Sequence, residues 1–217
     1  MFSYGLNYVI NLCYYFDICE KSEVNMKRRL IKLSTYLLVL SLFLSGCNQS
    51  ENEVTTVDNS IEIIEYEEAL SILKESVEAE ILDIETGITY IVRRVTGGFN
   101  TIADIETVSL EDTEKLLESV GGRWNIKRRA VIVTVGEFKI AASIAPFEHS
   151  GDESKPFGEI IDNRSGSTGT GVNLDSIREN GMIGVVDLYF YNSLTPGVNR
   201  VDERHQEMVM KAYEYQK

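Results

Sequence analysis

AVIVTVGEFKIAASIA, Ala130–Ala145, is the stretch whose reading decides the fold. Two runs rich in β-branched and small apolar residues, Ala130–Val135 and Phe138–Ala145, alternate around Gly136-Glu137. That is the pattern of an antiparallel hairpin. Working outward, Ala79–Asp83 and Ile88–Val95 flank Glu85-Thr86-Gly87 and predict a second hairpin with the glycine in its turn. GVVDLYFYNS, Gly184–Ser193, predicts a further strand over 184–191. Three helices border these strands. Ala69, Ile72, Leu73 and Val77 recur at helical spacing over Ile64–Val77. Ser109, with Asp112 three residues on, caps a helix that ends at Gly121-Gly122. The last helix starts near Asp202, after a turn at Pro196-Gly197. The expected class is α+β, a mostly antiparallel sheet with peripheral helices.

Between the second hairpin and the last strand the texture changes. The chain is rich in Gly, Ser, Asp and Asn, with SGSTGTG at Ser165–Gly171, and a long loop is expected over 149–183. Length and composition predict disorder or a mobile lid. No Gly-Lys-Ser/Thr follows the glycines, so they do not form a phosphate loop.

The chain has 21 Lys+Arg against 34 Asp+Glu, net −13. Residues 1–46 hold five of the basic and three of the acidic residues, which leaves 16 against 31, net −15, for 47–217. A body this acidic does not suit a polyphosphate, so no nucleic-acid partner is expected.

Met26 opens MKRRLIKLSTYLLVLSLFLSGC, with a basic head, an apolar run over Leu33–Leu44 and Leu44-Ser45-Gly46-Cys47 at its end. The run is shorter than the roughly 20 residues that span a bilayer. Its end resembles the lipobox of bacterial lipoproteins, which implies lipidation of Cys47 after cleavage. The expected segments are an upstream extension over 1–25 that precedes the true start, a signal peptide over 26–46, a polar tether over 47–60 and one domain over 61–217. The protein is then a lipid-anchored protein on the extracytoplasmic face of the cell membrane. Cys13, Cys19 and Cys47 are the only cysteines, so the domain has no thiol for a nucleophile or a Cys-based zinc site.

Candidate chemistry rests on few residues. His149, in PFEHSGDES, stands where a hairpin meets the long loop; it is either a functional group or a solvated side chain. His205 lies in the first turn of the last helix, where the dipole disfavours a cation and a structural role fits better. Asp104 and Glu106 share one face of an extended segment and could hold a cation or divide acid and base roles. Arg128 and Arg129, with Arg123 and Lys127 beside Trp124, could grip a polyanion or a peptide carboxylate, or could balance nearby acid. On the last strand Val186, Leu188 and Phe190 face one way, toward the core. Val185, Asp187, Tyr189 and Tyr191 face the other, which sets Asp187 on a solvated or cleft-lining face. No cofactor and no metal are expected, since two histidines and no thiol make a poor zinc set.

Several of these residues fall in one order. Ala103, Asp104 and Glu106 are followed by Trp124 with Arg128 and Arg129, then Ala141-Ala142-Ser143 and His149. Gly184, Phe190, Ser193, Thr195, Arg200-Val201-Asp202 and His205-Gln206 complete the set. Over roughly 130 residues this order resembles a bacterial cell-envelope domain found beside peptidoglycan-binding modules and similar to L,D-transpeptidases. In those enzymes a cysteine thiolate attacks a peptidoglycan stem peptide with a histidine as base. The resemblance implies the same fold. It departs at the reactive positions: Val185, Asp187 and Tyr189 stand at the pattern's His, Cys and His, while Ile102 and Pro196 stand at two further histidines. An aspartate in place of the thiolate gives a reactive anhydride in place of a transferable thioester, so the transpeptidase reaction is expected to be absent.

The resulting expectation is a non-catalytic envelope lipoprotein that binds peptidoglycan, a stem peptide or another envelope protein. A second reading is an acid–base hydrolase of cell-wall peptide or glycan built on His149, Asp187, Asp104 and Glu106. A third is a structural cation site on the same carboxylates.

Overall fold

The computed structural model describes residues 60–95 and 100–215; the expected upstream extension, signal peptide, Cys47 and tether lie outside them. In chain order the elements are α1 (Tyr66–Ile72), β1 (Glu78–Asp83), β2 (Thr89–Arg94), β3 (Ala103–Thr107) and α2 (Leu110–Ser119). Then come β4 (Arg129–Val135), β5 (Phe138–Ser150), β6 (Ile160–Ile161), β7 (Gly171–Val172), β8 (Gly184–Tyr189), β9 (Leu194–Thr195), β10 (Arg200–Val201) and α3 (Glu203–Tyr213).

Six strands close into a barrel in the order β1-β2-β3-β8-β5-β4, with every pairing antiparallel. The period of two sorts each strand. Ile81, Tyr90, Ile105, Val133, Ile144 and Leu188 are among those that point inward and fill the core. The intervening residues Asp104, Glu106, Ser143 and Asp187 therefore lie on the outer wall. The chain is α+β and rich in antiparallel sheet, as its alternation predicts. Both expected hairpins form, with Gly87 at φ 73 and Gly136 at φ 61 in their turns. Ser109 Oγ accepts the Asp112 N–H and caps α2, and Asp202 caps α3 by accepting from the Arg204 N–H.

Two expectations are corrected. The first helix stops at Ile72 and does not run to Val77. Arg94, at the inner end of β2, donates to the carbonyls of Leu70 and Leu73 at 2.8 and 2.9 Å, capturing the helix's last turn. Ser76 then takes φ 64, which is incompatible with continued helix. The second concerns 149–183. His149 and Ser150 belong to β5, and the segment beyond them is folded around the small β6–β7 hairpin. Its polar composition reads as structureless because its hydrogen bonds go to partners far away in sequence. Asn173 donates to the carbonyls of Asp152, Lys155 and Pro156, and Glu106 on β3 accepts from Ser176 and Ile177.

Away from Arg94, the other end of the barrel is closed by charge. Asp83 of β1 and Arg129 of β4 are both buried, and the guanidinium donates twice to the carboxylate at 2.6 and 2.8 Å. A bidentate pair is strongly directional, and cutting one partner strands the other's charge in a poorly solvated place. Asp83→Ala is expected to lower the unfolding free energy by about 3–5 kcal/mol. Urea unfolding followed by circular dichroism checks this, and a loss under about 1 kcal/mol contradicts the role.

Candidate functional site

The outer wall is most polar where β3, β8 and β5 run side by side. Asp104 and Asp187 are direct cross-strand partners, and Ala145 of β5 stands opposite Asp187 on its other flank. Like charges facing one another across a ladder are unfavourable, and Asp104 is only 2% exposed. Something in the surroundings must offset that repulsion.

His149 does part of this. Pairing between β5 and β8 is regular up to Ala145–Asp187 and resumes at His149–Val185, so β5 carries two extra residues there. Pro146, which has no N–H to donate, lies inside this bulge. A bulge bends the strand and re-aims the side chain that follows it. Here it swings the imidazole over the neighbouring strand, and His149 Nε2 comes to 2.9 Å from Asp187 Oδ1. One donor atom each from Asp104, His149 and Asp187 then lie within 4.8 Å of one another.

The other ring nitrogen is fixed by a directed relay. Thr168 Oγ1 donates to the Ser165 carbonyl at 3.0 Å, so its proton is committed. Ser150 Oγ donates to Thr168 Oγ1 at 3.3 Å, and His149 Nδ1 lies 2.8 Å from Ser150 Oγ. The 2.8 Å contact fixes the orientation of the ring, and its hydrogen belongs to Nδ1 or to Ser150 Oγ according to the tautomer. Burial works against a proton on His149. The hydrogen bond and charge of Asp187 outweigh it, with help from Asp104, and raise the pKa above the ordinary value.

Gly184 and Gly151 hold the histidine in place. Gly184 has φ 107, and a Cβ there would land on the His149 carbonyl oxygen; a Cβ on Gly151 would land on the Gly184 backbone. Only two glycines allow β5 and β8 to approach this closely. Gly184 is thus required by packing.

Glu106, two residues from Asp104, is fully buried and does other work. It accepts from the Ser176 N–H and Oγ, the Ile177 N–H and the Asn180 side-chain amide, at 2.6–3.2 Å. Burial pushes its pKa up to about 7 in spite of these donors. Burial also raises its neighbour Asp175, whose ion-pair partner Arg178 stands 3.4 Å away. Glu106 is therefore the anchor of the 153–181 segment and not a member of the His149 cluster.

Farther along the same wall, His205 is 2% exposed and stacks on Tyr189 with ring centroids 3.6 Å apart. Its Nδ1 meets Ser143 Oγ at 2.9 Å. Burial, with the nearby Arg128 charge, pushes its pKa down to about 4, so it is neutral at physiological pH. This is the structural histidine that its helix position predicts. Arg128 pairs with Asp202 at 2.6 Å and Arg129 with Asp83, so both arginines balance acid and neither joins the cluster.

The sequence thus places Asp104, His149 and Asp187 among its candidates, and the fold brings those three together. The relay through Ser150, Thr168 and Ser165 has no sequence signal beyond the hydroxyl next to His149. A cleft of about 800 Å³ lies elsewhere, lined by Glu80, Thr134, Lys139 and Tyr213, and contains no histidine. The chain matches no protein-family model, no curated protein and no solved structure.

Two measurements probe this wall. Because the folded pKa of His205 is depressed, its contribution is fully present above the unfolded value of 6.5 and is lost as pH falls toward 4. The stability difference between wild type and His205→Leu is expected to narrow by up to about 3 kcal/mol across that window. A difference that stays flat with pH contradicts a buried neutral imidazole. Gly184→Ala is expected to displace His149. Its imidazole proton resonance should shift toward that of Asp187→Asn, and an unshifted resonance refutes the packing role.

Proposed function

We propose that this protein is a membrane-anchored cell-envelope lipoprotein whose barrel domain is a non-catalytic binding module for the peptide part of peptidoglycan. The observation that carries this reading is the His149–Asp187 hydrogen bond. Asp187 stands where the resemblance to L,D-transpeptidases puts the nucleophilic cysteine, and it is paired with the one histidine that could have served a thiol as base. A carboxylate held in that pair is a weak nucleophile, and residues 60–215 contain no cysteine. The cluster keeps the means to bind and lacks the means to form a thioester.

Charge favours peptide over other wall components. Two carboxylates around one imidazole leave a negative site on a body of net −15, which repels anionic polymers and attracts amino groups and N–H donors. The export signal ending at Cys47 supports an anchored, extracytoplasmic location, where such a ligand is found.

A second reading has the same contact behind it. A carboxylate 2.9 Å from an imidazole, with Asp104 beside it, is also the arrangement of an acid–base pair able to activate water in a hydrolase. Co-sedimentation of the purified protein with cell-wall sacculi separates the two when it is coupled to mass spectrometry of the released muropeptides. The binding reading expects retention that drops at least about tenfold in Asp187→Ala, with an unchanged muropeptide profile. New muropeptide products support the hydrolase, and no retention at all removes wall binding.

A further inference from the structure

The geometry points to a divalent-cation site formed by Asp104, His149 and Asp187, with chemistry suited to a zinc-class ion. This goes beyond wall binding and does not rest on it, since the three ligands would take the ion whether or not the domain meets peptidoglycan.

The donor set is one imidazole nitrogen and two carboxylate oxygens within 4.8 Å of one another. They stand on three adjacent strands of a closed barrel, so the backbone holds them without a flexible loop. Two further features point to a cation. The contacts of His149 Nδ1 with Ser150 Oγ and of Ser150 Oγ with Thr168 Oγ1 hold the ring so that Nε2, the nitrogen that would bind the ion, faces Asp187 Oδ1. The hydrogen of the 2.9 Å contact between Nε2 and Asp187 Oδ1 occupies the place that a metal ion would take on displacing it. A fixed hydrogen-bond partner on the far nitrogen is how metal-ligating histidines are oriented, and Ser150 is placed to serve as one.

Charge is the second feature. The Asp104–Asp187 pair places two carboxylates side by side, and Asp104 is 2% exposed, so water screens them poorly. The buried Arg94 guanidinium also acts on Asp104, and a dication held by the three ligands adds two positive charges between the carboxylates where a proton adds one.

The mixed donor set decides the class of ion. Imidazole with carboxylates suits zinc, whereas calcium seeks six to eight oxygens and magnesium a near-ideal octahedron of them. Bonds of about 2.0–2.2 Å place neighbouring ligand atoms roughly 3.3 Å apart around a tetrahedral ion. The His149–Asp187 contact therefore has to widen by roughly 0.4 Å. The proton between Nε2 and Oδ1 leaves to solvent as the ion enters. Three protein ligands keep a fourth position for water or a ligand atom.

Isothermal titration of zinc chloride into the untagged full chain tests the site, with calcium and magnesium chlorides as comparison ions. One zinc per chain is expected, with no saturable heat from the other two ions. Asp104→Asn, Asp187→Asn and His149→Ala should each weaken binding at least about tenfold. Ser150→Ala, which removes no ligand, should weaken it by about tenfold. Cobalt(II) added to the wild type should show the visible absorption of a four-coordinate site, and circular dichroism reports whether each variant folds. Absence of saturable zinc uptake overturns the proposal, as does uptake that His149→Ala leaves unchanged. If a ligand variant does not fold, Ser150→Ala decides, and an unaltered affinity there also overturns it.

Discussion

The register of β8 between β3 and β5 is the constraint on which the rest depends. It closes the barrel, and in the same act it sets Asp187 opposite Asp104 on one side and Ala145 on the other. A slip of one residue would turn Val186 and Leu188 out of the core and bring Asp187 into it. The hydrophobic period therefore fixes the site as firmly as it fixes the barrel. Ala145 stands directly opposite Asp187, and the bulge beyond it delivers the His149 ring to the Asp187 carboxylate.

Two tethers keep the register from drifting. At the edge of the site, Gly151 and Gly184 let the β5 and β8 backbones approach more closely than any side chain would allow. Over β3, the buried Glu106 gathers donors from Ser176, Ile177 and Asn180 and ties the long excursion between β5 and β8 to the wall it covers. The strand therefore emerges from a segment that is itself fastened next to its place of insertion. Composition hides this, because a carboxylate that organises a loop looks the same in sequence as one on a solvated surface.

Much of the fold was legible because it is governed by local rules. Alternation over Ala130–Ala145 and Gly184–Tyr191 gave both the strands and their faces, and Ser109 and Asp202 announced the helix starts through their own side-chain caps. What escaped depended on distant partners. Nothing near Ile72 reveals that Arg94 will end the first helix, and nothing in Ser165–Gly171 reveals a folded hairpin nearby. The site divides the same way. Asp104 and Asp187 could be placed on outer faces from period two alone, while the His149–Asp187 contact depends on a two-residue bulge that no periodicity encodes. Arg128 and Arg129 read equally as a ligand grip or as a balance for acid, because the partners that decide between the two, Asp202 and Asp83, are remote in the chain.

The position of β8 in the chain also has a consequence for how the molecule comes into being. It is the last barrel strand to be made, yet it belongs between two earlier ones, and the residues it joins to β3 are about 80 apart in sequence. Contacts this non-local are entropically costly to close and slow a folding reaction. The β1–β2 and β4–β5 hairpins can form early from neighbouring residues, while β3 and β5 wait with open edges. The Asp–His–Asp cluster is thus assembled in the closing step, and a chain stalled before that step presents two unpaired strand edges to its neighbours. The same late insertion that builds the site makes the unfinished barrel prone to self-association.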